Sequence, residues 1–247
     1  MVGEPKPLTN KIVLITGAAK RLGRATALSL TAAGATAAIT YLHSKDEAVD
    51  TVREIKRFGG EALAVRCDVT IEASVRKAVS TVVRRLGGID VLVNNAGTYE
   101  TVAFDELTVQ QWDAIFATNV RGPFLISKEA LPHLRDRKGR IINLGSLGGL
   151  QAWASHTHYC SSKAALHMLT KAMAKALAPE IAVNCVAPGV IDPGEKNAVE
   201  FMKRMANQTP MRRNGSGEDV ASAVLFFASA PHFITGQIMT VDGGLGL

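Results

Sequence analysis

Cysteine is scarce in this chain, and long apolar runs are missing. Cys67, Cys160 and Cys185 are an odd number without metal-ligand spacing, so no metal centre is expected. Cys67 and Cys185 lie in apolar, strand-like stretches and read as small core residues. Although 47% of the 247 residues are hydrophobic, no uninterrupted apolar stretch approaches the ~20 residues of a membrane span. The start, Met1 to Pro7, lacks the apolar core of a signal peptide, which makes the cytoplasm the expected compartment. Neither a long linker nor a low-complexity tract divides the sequence, so residues 1–247 are expected to form one domain. The formal charge of +6 comes from scattered residues such as Arg53, Lys56, Arg57, Arg76, Lys77, Arg84 and Arg85. Solvated helix faces account for them, so no nucleic-acid partner is expected.

Short β-branched and apolar runs alternate with helix-forming stretches. Strands are expected near Ile12 to Thr16, Thr36 to Tyr41, Ala62 to Arg66, Val91 to Asn94, Arg140 to Leu144, Ala182 to Val186 and Gln237 to Val241. Two helix starts carry capping-box spacing, Ser44 with Glu47 and Thr108 with Gln111. Such alternation predicts an α/β class, a doubly wound Rossmann-type domain with a central parallel sheet and helices on both faces. The stretch 190–213 breaks the pattern with Pro193, Gly194 and Pro210 around a helical piece, Lys196 to Met205, and is expected to cover a substrate.

The first strand stops at Gly17-Ala-Ala-Lys-Arg-Leu-Gly23, which opens a helix. G-x-G-x-x-G is absent, but strand, glycine turn and helix stand in the order a dinucleotide site needs. Glycine lets the backbone approach a pyrophosphate, and a helix N-terminus offers free amides. Asn95, Ala96 and Gly97, and later Pro188 and Gly189, follow apolar strands and fall at the sheet edge where ligands of such folds bind.

Tyr159-Cys-Ser-Ser-Lys163 places a phenol and an ammonium four residues apart on a helical stretch, hence on one face. A neighbouring cation favours the phenolate and is expected to draw the phenol towards neutrality, where it serves as a general acid. Ser146, thirteen residues upstream, adds a hydroxyl donor for a substrate oxygen.

From Lys11 to Gly244 the sequence resembles the short-chain dehydrogenase/reductase family, through Thr16-Gly17 to Gly23, Asp68-Val69, Asn94 to Gly97, Asn119, Ser146, Tyr159 with Lys163, Pro188-Gly189 and Val241 to Gly244. The resemblance implies hydride exchange between a nicotinamide cofactor and a carbonyl, alcohol or C=N carbon. It assigns catalysis to Asn119, Ser146, Tyr159 and Lys163, with Asn119 supporting a water path to Lys163. The implied cofactor-binding set is Gly17, Lys20, Arg21, Leu22, Gly23, His43, Ser44, Asp68, Val69, Asn95, Ala96, Gly97, Tyr159, Lys163, Pro188, Gly189 and Val190. Asp68 would meet the adenine edge, and an Asp before a helix is equally a cap. Packing of the 157–177 helix against its copy in a homodimer or homotetramer is also implied.

Two departures bear on substrate. The family usually has glycine where Arg21 stands, and this form of the turn resembles pteridine reductases, which have aspartate at the position of Ser146. Serine suits a ketone, so a carbonyl substrate, small or carrier-linked as in 3-oxoacyl reductases, ranks ahead of a pterin. A non-catalytic nucleotide sensor or scaffold is the alternative of another class, and no catalytic group is missing to favour it. His156, His158 and Trp153 lie before or beside the acid; a histidine near a helix start reads first as a surface or capping group. The second strand ends in Ala38-Ile-Thr-Tyr-Leu-His-Ser44 without a carboxylate. NAD sites generally place an acid there for the ribose 2′-hydroxyl, so NADPH is the expected cofactor, with Lys20, Arg21, His43 and Ser44 as candidate phosphate donors.

Overall fold

Apolar runs of four to seven residues, too short for stable helices, become strands buried on both faces, as parallel strands covered by helices must be. The computed structural model describes residues 6–192 and 199–247. In chain order the elements are β1 (Ile12–Ile15), α1 (Arg21–Ala32), β2 (Thr36–Tyr41), α2 (Lys45–Arg57), β3 (Glu61–Arg66), α3 (Glu72–Leu86), β4 (Val91–Asn94), α4 (Val109–Phe116), α5 (Gly122–Asp136), β5 (Arg140–Leu144), α6 (Thr157–Leu177), β6 (Ala182–Pro188), α7 (Val199–Gln208), α8 (Gly217–Ser229) and β7 (Ile238–Val241). The strands form one parallel sheet in the order β3-β2-β1-β4-β5-β6-β7. Chain progression reverses between β1 and β4, and that reversal opens a crevice at the carboxyl edge.

Alternation along each strand feeds two cores. Val13 and Ile15 pack with Leu30, Ile39, Val224 and Phe227 under α1 and α8. Leu14 points the other way, towards Val75, Val79, Ile126 and Leu134 of α3 and α5. A buried polar chain crosses the second layer. The Asn94 amide donates to Ser127 Oγ (3.1 Å) and Asn143 Oδ1 (2.8 Å), and Asn143 Nδ2 donates to Thr170 Oγ1 (2.8 Å). It joins β4, β5, α5 and α6 with directional bonds that apolar packing alone would not supply.

The expected strands form with their ends shifted by a residue or two; β6 runs on to Pro188. Thr108 and Gln111 make the expected capping box. Ser44 and Glu47 do not: Ser44 sits at φ −81°, ψ 62°, outside the extended region an N-cap uses, and Glu47 lies instead 3.6 Å from Lys20 Nζ. Ser216 and Asp219 form a capping box that the sequence reading passed over. Of the helix expected over Lys196 to Met205, and of the covering segment expected over 190–213, residues 193–198 lie outside the described ones; α7 is described from Val199. Among the described residues no helix is long and apolar enough to cross a membrane.

Asp90, 4% exposed, fastens the amino edge of the sheet. Its carboxylate accepts from the Ile12 amide (2.9 Å), Lys11 Nζ (3.2 Å) and the Arg137 guanidinium (3.2 Å). Removing it strands a buried amide and unpairs two cations. Asp90→Ala is expected to lower the unfolding free energy by about 2–3 kcal/mol, measured as a lower urea midpoint at unchanged slope.

Candidate active site

The glycine turn is shaped by contacts that exclude side chains. Gly17 adopts φ +62°, and its amide donates to Thr40 Oγ1 at 3.2 Å. A Cβ on Gly23 would lie 2.6 Å from both Ala18 Cα and Asn95 Nδ2. Thr16 Oγ1 accepts from the Asn95 and Ala96 amides (3.0 Å each), and Asn95 Nδ2 donates back to the carbonyls of Thr16 and Gly17. This lacing binds the end of β1 to the end of β4. No side chain caps α1, and no acid stands in its first turn, so its amino end suits an anionic ligand. Arg21 holds φ +52°, the left-handed region that favours glycine.

The remaining cofactor candidates lie at or after the carboxyl ends of β2, β3 and β6. His43 and Ser44 follow β2, the former exposed and the latter half-buried. Asp68 Oδ1 accepts from the Thr70 amide (2.9 Å) and hydroxyl (2.7 Å), a turn role compatible with an exposed backbone edge, and Val69 is buried against Gly122. Pro188 ends β6, the Gly189 amide donates to Val241 O (3.0 Å), and Val190 O accepts from the Gly215 amide.

Ser146, Tyr159, Lys163 and Asn119 converge at the carboxyl ends of β4 and β5. Ser146 follows β5 by two residues, and its hydroxyl lies near enough to the Tyr159 phenol to oppose the rise that burial causes there. Lys163, 7% exposed, donates from Nζ to Leu144 O at 2.7 Å and sits 5.8 Å from the centre of the Tyr159 ring. Asn119 lies on a widened helical turn, Ala117–Arg121, between α4 and α5. Such turns recur at functional sites. Its side chain brackets Thr98, accepting from the amide (2.8 Å) and donating to the carbonyl (3.0 Å), and also donates to Ser162 Oγ (3.1 Å). It therefore serves a neighbouring segment and not its own helix. A Cβ on Gly97 would meet Asn119 Oδ1 at 3.2 Å and Lys163 Nζ at 3.6 Å, so both groups face that bare backbone.

Residues 17–246 match the family described as enoyl-(acyl carrier protein) reductase. The 3-oxoacyl-[acyl-carrier-protein] reductase of Staphylococcus epidermidis is 39% identical over 241 residues, covering 96% of this chain and 99% of that one. The short-chain dehydrogenase/reductase from Serratia marcescens superposes with a TM-score of 0.92 at 35% identity, covering 98% and 100% of the two chains. The promiscuous reductase LugOII, which catalyses keto-reduction at C1 during lugdunomycin biosynthesis, gives the same TM-score, identity and coverage. The chain belongs to the short-chain dehydrogenase/reductase family.

Within this family member the sequence-based view of the phenol needs correction. Burial pushes the Tyr159 phenol up to about 12; the Ser146 hydroxyl opposes that rise, and Tyr99 and Cys160 add to it. Lys163 spends its amine on the Leu144 carbonyl, and burial lowers it to about 8. The spacing of four brings the two residues to one face, but not the ammonium onto the phenolic oxygen. His158 is also misread: it is fully buried, with Glu100 Oε2 3.6 Å from Nε2. His156 is half-buried, bonded to the hydroxyls of Tyr99 and Thr101 and stacked on the Tyr99 ring. Tyr99 meets Tyr159 edge-on and Trp153 lies parallel to it, so aromatic rings line the approach to the phenol. Tyr99 was missed because loop residues carry no periodic signal.

A raised phenol stays protonated through neutral pH. In the cofactor-free protein, the ultraviolet difference between wild type and Tyr159→Phe is therefore expected to show phenolate only as pH nears about 12, well above a free tyrosine. Ionisation at or below pH ~10 contradicts this.

Proposed function

We propose that this enzyme reduces a ketone or 3-oxoacyl carbonyl with NADPH, Tyr159 giving the proton to the carbonyl oxygen. The observation that carries this reading is the placement of the Ser146 hydroxyl near a half-buried, protonated phenol whose ring centre lies 5.8 Å from the Lys163 amine. Two oxygen-bound donors meeting at one point suit a carbonyl oxygen, whereas saturating an alkene requires a proton at carbon. The Staphylococcus relative, named for 3-oxoacyl reduction, and the keto-reducing LugOII support the same class.

Bound NADPH supplies the hydride. The chain's own groups do the rest. Ser146 donates to the substrate oxygen as negative charge gathers there, and Tyr159 transfers its proton. The phenolate left behind is opposed by burial and favoured by the nearby lysine charge. An amine held near 8 exchanges protons near neutrality, so Lys163 is suited to restoring the phenol, with Asn119 supporting a water path at Gly97. The uncapped start of α1 and the bare backbones of Gly17, Gly23 and Gly97 fit a pyrophosphate and nicotinamide approach, with Lys20 to Gly23, His43, Ser44, Asp68, Val69, Asn95, Ala96 and Pro188 to Val190 around it.

Tyr159→Phe is expected to lose at least a hundredfold in kcat while its NADPH Kd stays within about twofold, since the ring still packs. The panel that tests the reading measures NADPH consumption with 3-oxoacyl thioesters, simple ketones and pterins. Turnover only of pterins would reject it.

Cofactor choice follows from β2, whose end carries no acid. Glu47, in the first turn of α2, is 3.6 Å from Lys20 Nζ and balanced by it. Charge-assisted hydrogen bonds contribute roughly 1.5–3 kcal/mol each, so kcat/KM is expected to favour NADPH over NADH by about ten- to a hundredfold, and Arg21→Ala to shrink that ratio. Equal use of NADH by the wild type would defeat the assignment.

A further inference from the structure

The mechanism leaves one buried titratable group beside Ser146 unused. His167, 5% exposed, stands one helical turn beyond Lys163 on α6. Its imidazole fills the hollow of the 145–149 loop that carries Ser146. A Cβ on Gly145 would come within 2.3 Å of Nε2, and one on Gly149 within 2.6 Å of Cε1. The two glycines flanking the loop are therefore bare where the ring lies.

The hydrogen bonds around Ser146 lead to the same ring. Its carbonyl accepts from the Gly149 amide (2.9 Å), and its Oγ from the Gly148 amide (3.1 Å). Its own amide, buried with the rest of the residue, donates to His167 Nε2 at 3.4 Å. A buried amide without an acceptor is costly, and the ring nitrogen is the partner this one has. An acceptor nitrogen carries no proton, so this pairing puts the proton of the neutral ring on Nδ1, a buried atom with no hydrogen-bond partner among the described residues.

We infer that His167 is a positioning residue for Ser146: its Nε2 lone pair holds the Ser146 amide, and its ring sets the curve of the loop, so that the hydroxyl is aimed at the Tyr159 phenol. This rests on the role proposed for Ser146 above. Burial, with the charges of Lys163 and Lys171, drives the imidazole down to about 4, so the acceptor form persists at neutral pH. The Cys185 thiol, the other titratable group against Gly145, is driven up to about 12 by burial and stays uncharged.

Gln and Leu substitutions separate acceptor from packing. The Gln amide oxygen lies as many bonds from Cα as Nε2 does, whereas Leu fills space without a lone pair. His167→Leu is expected to lose at least tenfold in kcat, with KM for NADPH within about twofold; His167→Gln is expected to recover to within about threefold of wild type. Ser146→Ala is measured alongside. Full kcat in His167→Leu with an impaired Ser146→Ala would overturn the inference and leave the proposed function standing. Equal loss in the Gln and Leu variants would overturn the acceptor role. Full activity in Ser146→Ala would overturn the reading beneath, and the inference with it. Independently of any variant, long-range proton–nitrogen NMR of the wild type at neutral pH is expected to show a neutral His167 protonated at Nδ1. A proton on Nε2 would overturn the inference.

Discussion

A primary amine enclosed by protein must find an oxygen, and the reach of Lys163 to the Leu144 carbonyl is the constraint on which the rest of the site depends. That bond pins one turn of α6 to the last residue of β5. Tyr159, a turn earlier on the same face, and Ser146, two residues past the strand, are then brought together by chain geometry. Asn143 to Thr170 repeats the fastening two turns further along, and Asn119 to Ser162 ties the helix to the widened turn. The helix is thus held to β5 at two heights and to the widened turn beside the lower one.

Burial cuts both ways here. It lowers the lysine and raises the phenol, bringing their proton affinities to values that neither group has in water. Both shifts come from low local dielectric more than from a direct ion pair. The same exclusion of water makes the amides of the Ser146 loop dependent on internal partners.

Much of the architecture was legible because strands covered on both faces must be continuous runs of Val, Ile and Leu, as in Ile12 to Ile15 and Val91 to Val93. The positions of Gly17, Gly23, Asn95, Ser146, Tyr159 and Lys163 at strand ends and on one helix face follow from that frame. Other features depend on partners far along the chain. Ser44 has the right neighbours for a cap but the wrong backbone angles. His158 looks like a polar residue at a helix start, and only the folded chain buries it beside Glu100. The direction of the Tyr159 shift required knowing where the lysine amine goes, and His167 reads as one more polar residue until the loop closes around it.

Arg21 has a bearing on the timing of order in the phosphate turn. A non-glycine residue in the left-handed region costs on the order of 1–3 kcal/mol and persists where the surrounding structure fixes it; Arg21 holds φ +52° in a turn whose Gly17 and Gly23 leave no room for a side chain. An arginine also samples fewer conformations than glycine in the unfolded chain. Fixing this turn then costs less chain entropy than a glycine there would, and a nucleotide binding at it would meet a loop already fixed in the folded chain. Its on-rate would then be governed by encounter and not by loop rearrangement.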